Sequence, residues 1–445
     1  MSKKIKKKKK FLIIEDKSYT FIDLFCGIGG FHQALKQINC DNRCVLACDI
    51  NKDCRAVYKD NYGIEPHPDI RKLTLEEIPL FDILCAGFPC QSFSNAGKKK
   101  GQDDKRGMLF DEIIRIAKEK QPKFMFLENV KHIKKIDGGK MFRYIINTIK
   151  DIGYHIKCKK ADEVNVEGEQ LIEDNGVETI FELSPHQLGI PQDRKRIIFV
   201  CIRKDIYDPT KKLTLTLDDN PTINFDKIIE KDKSKTEKHK ISKDIEDVLH
   251  AWDEMIQKFE VDEKLSPTIL CDEFENYWSY IESKNETTGE IVYNEEFKHL
   301  AQWRQDYIIK NRPIYEKYED EWDKWFEKYK TILNKRKIYC KLEWQTGKKK
   351  PNDSIWNHFI QLRQSGIRVK KNKFFPTLVA IVQTPIYGKE KRYITPRECA
   401  RLQSFPDSFK MHENDHKAYK QFGNAVNVEV VKKIISMTLD AYKYL

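Results

Sequence analysis

A cysteine and a glutamate stand out by type and placement. Cys90 lies in Gly87-Phe88-Pro89-Cys90-Gln91-Ser92-Phe93-Ser94, directly after an apolar run, Phe81 to Ala86, that reads as a buried strand. A thiol just past a strand end, between a proline and a polar loop, is presented rather than packed. About forty residues on, a second buried run, Phe124 to Leu127, ends in Glu128-Asn129-Val130. A thiol and a carboxylate, each at the carboxyl end of its own strand, suit addition to an unreactive ring. The thiol adds, and the acid stabilises the charge that develops. The plainer readings are a buried structural thiol and a strand-end surface acid. Cys85 and Cys201, inside apolar runs, fit the structural description better than Cys90 does.

Further signals flank this pair in a fixed order. Before it comes Phe21-Ile22-Asp23-Leu24-Phe25-Cys26-Gly27-Ile28-Gly29-Gly30-Phe31. After it come Gln192-Asp193-Arg194-Lys195-Arg196, then Arg401-Leu402-Gln403-Ser404-Phe405-Pro406, then Gln421-Phe422-Gly423-Asn424-Ala425-Val426. The set closely resembles the DNA (cytosine-5)-methyltransferases of bacterial restriction–modification systems. The resemblance covers about the first 205 residues and the last 70, and the stretch from about 206 to 355 matches only in position. It implies methyl transfer from S-adenosylmethionine, with S-adenosylhomocysteine as product, to C5 of a cytosine in a specific duplex DNA sequence. The base would be flipped out of the helix, and no metal is implied. Cys90 would add to C6, Glu128 would protonate N3, and Asn129 would hold the loop. Arg194 and Arg196, two apart on a strand, would point to one side and face the base and the flanking phosphate, with Gln192 helping to position the loop. A plain arginine-rich solvent turn is the other reading of that segment.

The turn Phe25 to Gly30 joins a strand to a helix, and its glycines permit close backbone approach to a ligand. By itself such a turn suits a dinucleotide equally. The next strand ends near Asp49, where an acid can take ribose hydroxyls. The resembling family usually has Glu there; Asp keeps both acceptors on a side chain one methylene shorter. The resemblance makes Phe25, Gly27, Gly29, Asp49, Ile50, Asp69, Ile70, Asn424 and Val426 the cofactor contacts. It makes Ser94 to Gly107 a mobile catalytic loop whose lysines suit phosphates, where an ordinary basic loop is the plainer account. Gln91, Ser94, Arg106, Arg368 and Thr377 are the candidate DNA contacts. Arg368 suits guanine in the major groove and suits a phosphate equally. Gly366 and Leu378 are further candidate target contacts.

These residues need a scaffold that gathers strand ends. Strands are predicted at Thr20–Phe25, Cys44–Ile50, Phe81–Gly87, Lys123–Leu127 and Arg196–Ile202, and helices at Phe31–Ile38, Lys52–Asn61, Met108–Lys120 and Lys140–Ile152. Such alternation predicts an α/β fold with a doubly wound, mostly parallel sheet, of the S-adenosylmethionine-dependent methyltransferase type by resemblance. The expected division is a basic tail at 1–17, a catalytic part at 18–205, an inserted target-recognition domain at 206–417, and a closing segment at 418–445 that returns to the catalytic part. Aromatic residues between 300 and 345 recur three or four apart, predicting amphipathic helices broken near Pro313. A base-stacking platform is the alternative there.

The net charge is +12, but the first ten residues carry seven lysines and no acid. Removing those seven leaves +5 over 435 residues, a mildly basic body that does not by itself prove nucleic-acid binding. The lysine run reads as a solvated tail, a phosphate clamp or a nuclear-import-like patch. Twelve cysteines without an export signal imply free thiols in a reducing compartment. Cys40, Cys44 and Cys48 are spaced more widely than usual metal-ligand pairs, and core packing explains the last two. No apolar run approaches the ~18 residues that span a membrane. A monomer acting in the cytoplasm at the nucleoid, or in the nucleus of a eukaryotic host, is expected. Duplex DNA is the partner, joined by a restriction endonuclease of the same site where the enzyme belongs to such a pair. The alternative substrate, from the family's RNA branch, is transfer RNA.

Overall fold

The computed structural model describes residues 17–89, 109–158, 176–265, 268–285, 287–381 and 383–443. Cys90, Gln91, Ser94, Arg106 and most of the lysine tail lie outside the described residues. Two compact units emerge. The first comprises residues 1–183, 195–217 and 426–445, and the second 184–194 and 218–425.

The first unit is built on a seven-stranded sheet: β1 (Thr20–Leu24), β2 (Arg43–Cys48), β3 (Ile83–Gly87), β4 (Phe124–Val130), β5 (Tyr154–His155), β6 (Ile180–Leu183) and β7 (Arg196–Arg203). The order is β2-β1-β3-β4-β7-β5, with β6 also paired to β7. β1 to β4 are mutually parallel, and β7 runs against β4, β5 and β6. One reversed strand in an otherwise parallel sheet agrees with the predicted α/β class. The central strands are unbroken apolar runs because both faces of the sheet are covered. Phe21, Ile83, Phe126 and Phe199 are all fully buried. The covering helices are α1 (Gly30–Ile38), α2 (Lys52–Tyr62), α3 (Leu109–Lys120) and α4 (Lys140–Asp151). Each buries one stripe; on α4 it is Phe142, Ile145, Ile146 and Ile149. A C-terminal helix, Val428–Ala441, packs on α1 and is capped by Asn427, whose side chain accepts from Val430 N at 3.1 Å.

The predicted fourth strand stops at Leu127, but β4 continues to Val130. The reason is β7: Glu128 pairs with Ile198 and Val130 with Arg196, so the ladder satisfies the main chain past the apolar run. β5 and β6 have two and four residues, too short to leave a period in the sequence. Cys44, Cys48, Cys85 and Cys201 are buried in the core. Among the described residues, no helix is long and apolar enough to cross a membrane, and no cluster of His, Cys, Asp and Glu is arranged to hold a metal ion.

The second unit carries β8 (Ile269–Leu270), a hairpin of β9 (Ile281–Lys284) and β10 (Ile291–Tyr293), and then β11 (Lys341–Gln345), β12 (Phe359–Arg363), β13 (Gly366–Lys370), β14 (Ile386–Tyr387) and β15 (Arg392–Tyr393). Its six-stranded sheet runs β15-β14-β12-β13-β11-β8. The aromatic-rich stretch forms helices Gln302–Lys317 and Glu319–Leu333. Contrary to expectation, the first passes through Pro313, and the break falls at Tyr318. A proline inside a helix costs about 3 kcal/mol. Burial of Ile308, Ile314 and Tyr315 offsets it, as does Asn311, which bonds Leu270 N at 2.8 Å and Thr268 O at 2.7 Å. Tyr315, Tyr318, Trp322, Trp325 and Phe326 are core residues of this unit, as helix packing predicts, whereas Trp303 is 50% exposed.

Candidate active site

The carboxyl ends of the parallel strands collect the predicted chemistry. β3 and β4 are in register with Gly87 beside Glu128. A Cβ built on Gly87 would stand 3.7 Å from Glu128 Oε2 and 3.2 Å from Val426 Cγ2. The carboxylate therefore hangs over the last residue of β3, three residues before Cys90. After Gly87, Phe88 is buried and Pro89 exposed. Asn129 is buried, and its Nδ2 donates to Phe88 O at 3.0 Å, tying the end of β4 to the residue after β3.

Arg196 completes the group. Since β7 runs against β4, its first residue lies beside the last residue of β4. Arg196 Nε sits 2.8 Å from Glu128 Oε1, with both side chains largely shielded from solvent. A charged hydrogen bond of this kind is short and directional. It fixes the carboxylate's orientation and leaves Oε2 toward Gly87.

A second cradle lies over β1 and β2. Phe25, Gly27 and Gly29 all have left-handed φ, at 53°, 53° and 87°. A Cβ on Gly29 would fall 2.3 Å from the Tyr62 ring, and one on Gly30 2.6 Å from Val426 O. A Cβ on Gly27 would meet nothing within 4 Å. The turn is thus packed from below and behind and open at Gly27. Asp49 holds it: Oδ2 accepts from Gly27 N at 2.8 Å and Oδ1 from Asn51 N at 2.7 Å. Burial raises the Asp49 pKa above the usual carboxylate range, opposed by those two amides and by Arg55. Each oxygen keeps a further lone pair for a ligand. Ile50, next in the chain, is 71% exposed. An open glycine turn, a carboxylate and a bare apolar side chain fit a ligand that carries a ribose and a flat base.

The turn rests on a buried polar group that the sequence reading did not single out. His32 Nδ1 and Tyr58 Oη are 2.7 Å apart, and His32 stacks on Tyr62 at 3.8 Å between ring centroids. Tyr62 Oη donates to Gly29 O at 3.0 Å. Burial, with Lys36 adding to it, lowers the His32 pKa to about 3, so the imidazole is neutral at any physiological pH. Beneath them, burial pushes the Asp23 carboxyl well above its usual range. The one signal in the sequence was Tyr58 and Tyr62, four apart on one face of α2.

Known proteins show the same arrangement of the chain. The profile of the C-5 cytosine-specific DNA methylases matches residues 19–439. This chain belongs to that family. It is 31% identical to the Type II methyltransferase M.BanI of Aneurinibacillus aneurinilyticus, over 93% of this chain and 94% of that one. It is 28% identical to the Type II methyltransferase M.HhaI of Haemophilus parahaemolyticus, over 95% of each. Among solved structures, a mutant DNMT2 of Spodoptera frugiperda has a similar fold, with a TM-score of 0.51 at 19% identity over 94% of this chain and 99% of that one. The chain is a DNA cytosine-5 methyltransferase with the fold of the S-adenosylmethionine-dependent methyltransferases.

Not every residue predicted for this methyltransferase faces a ligand. Arg194 and Arg196 do not share a target. Arg194 precedes β7, is 2% exposed, and donates to the carbonyls of Leu378 at 2.7 Å and of Gly423 and Ala425 at 3.0 Å. Gln192 is fully buried, and its main chain bridges to Phe375. Asp69 is gripped by Arg71 through two bonds of 2.9 and 2.8 Å, which hold its pKa below the usual value. Ile70 is buried in the core of the first unit, so its main chain is what remains for a ligand. Val426 packs against Gly30 and Gly87, while Asn424 is exposed at the end of helix Asp415–Asn424. Arg368 faces Glu343 across β13 and β11, with Nε 2.5 Å from Glu343 Oε2. The Thr377 hydroxyl donates to Asp193 O, a main-chain tie rather than a presented group. Gly366 has φ 138°, and a Cβ there would fall 2.7 Å from Lys341 Cβ, so close packing accounts for it.

Proposed function

We propose that this enzyme methylates C5 of a cytosine within a specific duplex DNA sequence, through a covalent adduct between Cys90 and C6 of a flipped base. The observation that carries the reading is Glu128 held by Arg196 directly over Gly87, the last residue of β3 and three positions before Cys90 in the sequence. C5 of cytosine is a poor nucleophile. Addition of a thiolate to C6 turns the ring into an enamine whose C5 can attack an electrophilic carbon. In its protonated form Glu128 gives its proton to N3 as electrons move onto the ring, and Arg196 keeps that carboxyl aimed. Loss of the C5 proton to solvent, return of the N3 proton to Glu128 and departure of the thiolate then restore the aromatic ring.

S-adenosylmethionine supplies the electrophilic methyl when bound. Phe25, Gly27 and Gly29 would line its turn, Asp49 would accept its ribose hydroxyls, and Ile50 and the main chain of Asp69 and Ile70 would meet its adenine, with Val426 and Asn424 at the closing segment. Flipping the base costs a few kcal/mol, and the loop after Cys90, with Gln91, Ser94 and Arg106, would contact the DNA. Arg368 is the candidate base reader, its Nε anchored by Glu343 and its terminal nitrogens forming the fork. A restriction endonuclease of the same specificity is the natural companion of such an enzyme.

The test uses methyl-labelled donor with duplex DNA and transfer RNA side by side. Label in cytosine of the duplex alone is expected. Label in transfer RNA alone would move the enzyme to the RNA branch of the fold.

A further inference from the structure

We propose that Arg194 is a positioning residue that fastens the closing segment of the cofactor site, Asn424 to Val426, to the recognition segment at Thr377-Leu378. This rests on the methyltransferase reading above.

Three bonds from one guanidinium carry the argument. Nη1 binds Leu378 O, and Nη2 binds both Gly423 O and Ala425 O. The latter two carbonyls belong to the end of helix Asp415–Asn424, where carbonyls lack an amide from the next turn. A cation there also complements the helix dipole. Gln403 covers the neighbouring carbonyl, with Nε2 2.8 Å from Phe422 O. The junction is tight. A Cβ on Gly423 would fall 2.5 Å from the Val379 carbonyl and 2.9 Å from Ala380 N, so the helix end and the recognition segment meet backbone to backbone.

Arg194 is itself held on the recognition side. Its amide donates to Ser184 Oγ at 3.0 Å, Asp193 N donates to Phe375 O at 3.0 Å, and Thr377 donates to Asp193 O. One peptide bond beyond the gripped Ala425 carbonyl stands Val426. Its carbonyl and side chain fit against Gly30 and Gly87, the floor of the cofactor turn and the last residue of β3. A displacement of Ala425 passes directly to that fit. Arginine suits the task because its planar fork spans separated acceptors, and a lysine ammonium does not.

The alternative is that Arg194 contacts a DNA phosphate. Full-length wild type, Arg194→Lys and Arg194→Ala are compared by calorimetry with S-adenosylhomocysteine in the absence of DNA, and by the salt dependence of duplex binding. The proposal predicts about tenfold weaker S-adenosylhomocysteine binding in both variants, a size common for coupled sites, with the salt slope unchanged. Unchanged affinity in the variants, with a slope shallower by about 0.9 in the alanine variant, overturns it and makes Arg194 a phosphate ligand. Wild-type affinity in the lysine variant also overturns it. If Arg194→Ala is insoluble, Arg194→Lys decides alone; insolubility of both reduces Arg194 to a structural stay and overturns the positioning role. Wild type that does not bind S-adenosylhomocysteine overturns the methyltransferase reading itself, a result distinct from variants that match a binding wild type.

Discussion

The two units use the same residue types differently. In the first, strands end where chemistry is needed, and the groups there keep a free side. Gly27 faces open space, Ile50 is exposed, and Glu128 presents one oxygen over Gly87 while Arg196 holds the other. In the second, residues with the chemistry of DNA readers are engaged by the protein. Arg194 binds three carbonyls, Thr377 binds one, and Arg368 is anchored on Glu343. A parallel sheet aligns strand ends along one edge, so position in the fold selects the site. In a unit of short, mostly antiparallel strands no single edge is privileged, and a charged residue must be assigned from its partners.

Substitutions that break this contrast should differ in size. Cys90→Ser comes first: turnover should be lost while S-adenosylhomocysteine binding stays near wild type, because a serine hydroxyl is hardly ionised and a weaker nucleophile at neutral pH. Single-turnover methylation near the wild-type rate would rule out the covalent step. Glu128→Gln should lower kcat by about 10²–10⁴-fold, the usual contribution of a positioned acid. Its cofactor affinity should hold, since the proposed mechanism gives Glu128 to the base and not to the cofactor. Parallel kinetics and calorimetry separate the two effects, and a pure loss of cofactor binding would misplace Glu128.

Asp49→Ala removes acceptors from both Gly27 N and Asn51 N. Bonds to a charged group contribute about 1.5–3 kcal/mol, so cofactor binding should weaken by that order while duplex affinity changes little. Arg368→Ala, in the second unit, should have the smallest effect on chemistry. It should cost about 1–3 kcal/mol of specific binding and relax preference at one base pair. Glu343→Gln should do the same more weakly, because it only aims the guanidinium. A uniform loss across all sequences, with a shallower salt slope, would make Arg368 a phosphate contact.

The first unit was largely legible from sequence because its signals are local. Continuous apolar runs marked the strands, and Gly, Asp, Pro-Cys and Glu-Asn marked their ends. What stayed hidden depended on pairing. The extension of β4 needed β7, and the supports of the glycine turn, His32, Tyr58 and Tyr62, converge from two helices. Arg194 departs from the expected placement for a related reason. Two arginines separated by one residue look alternate on a strand, but the strand starts only at Arg196, and the earlier side chain is drawn to carbonyls about 184 to 231 residues away in sequence. The helix through Pro313 likewise persists on packing that no local pattern records.

Bisulfite sequencing of genomic DNA from cells that express the enzyme, against cells that do not, tests the central claim most directly. The account predicts cytosines newly protected from conversion, all at one position within one short sequence. Full conversion at every cytosine, in cells where the protein is folded and abundant, would contradict it.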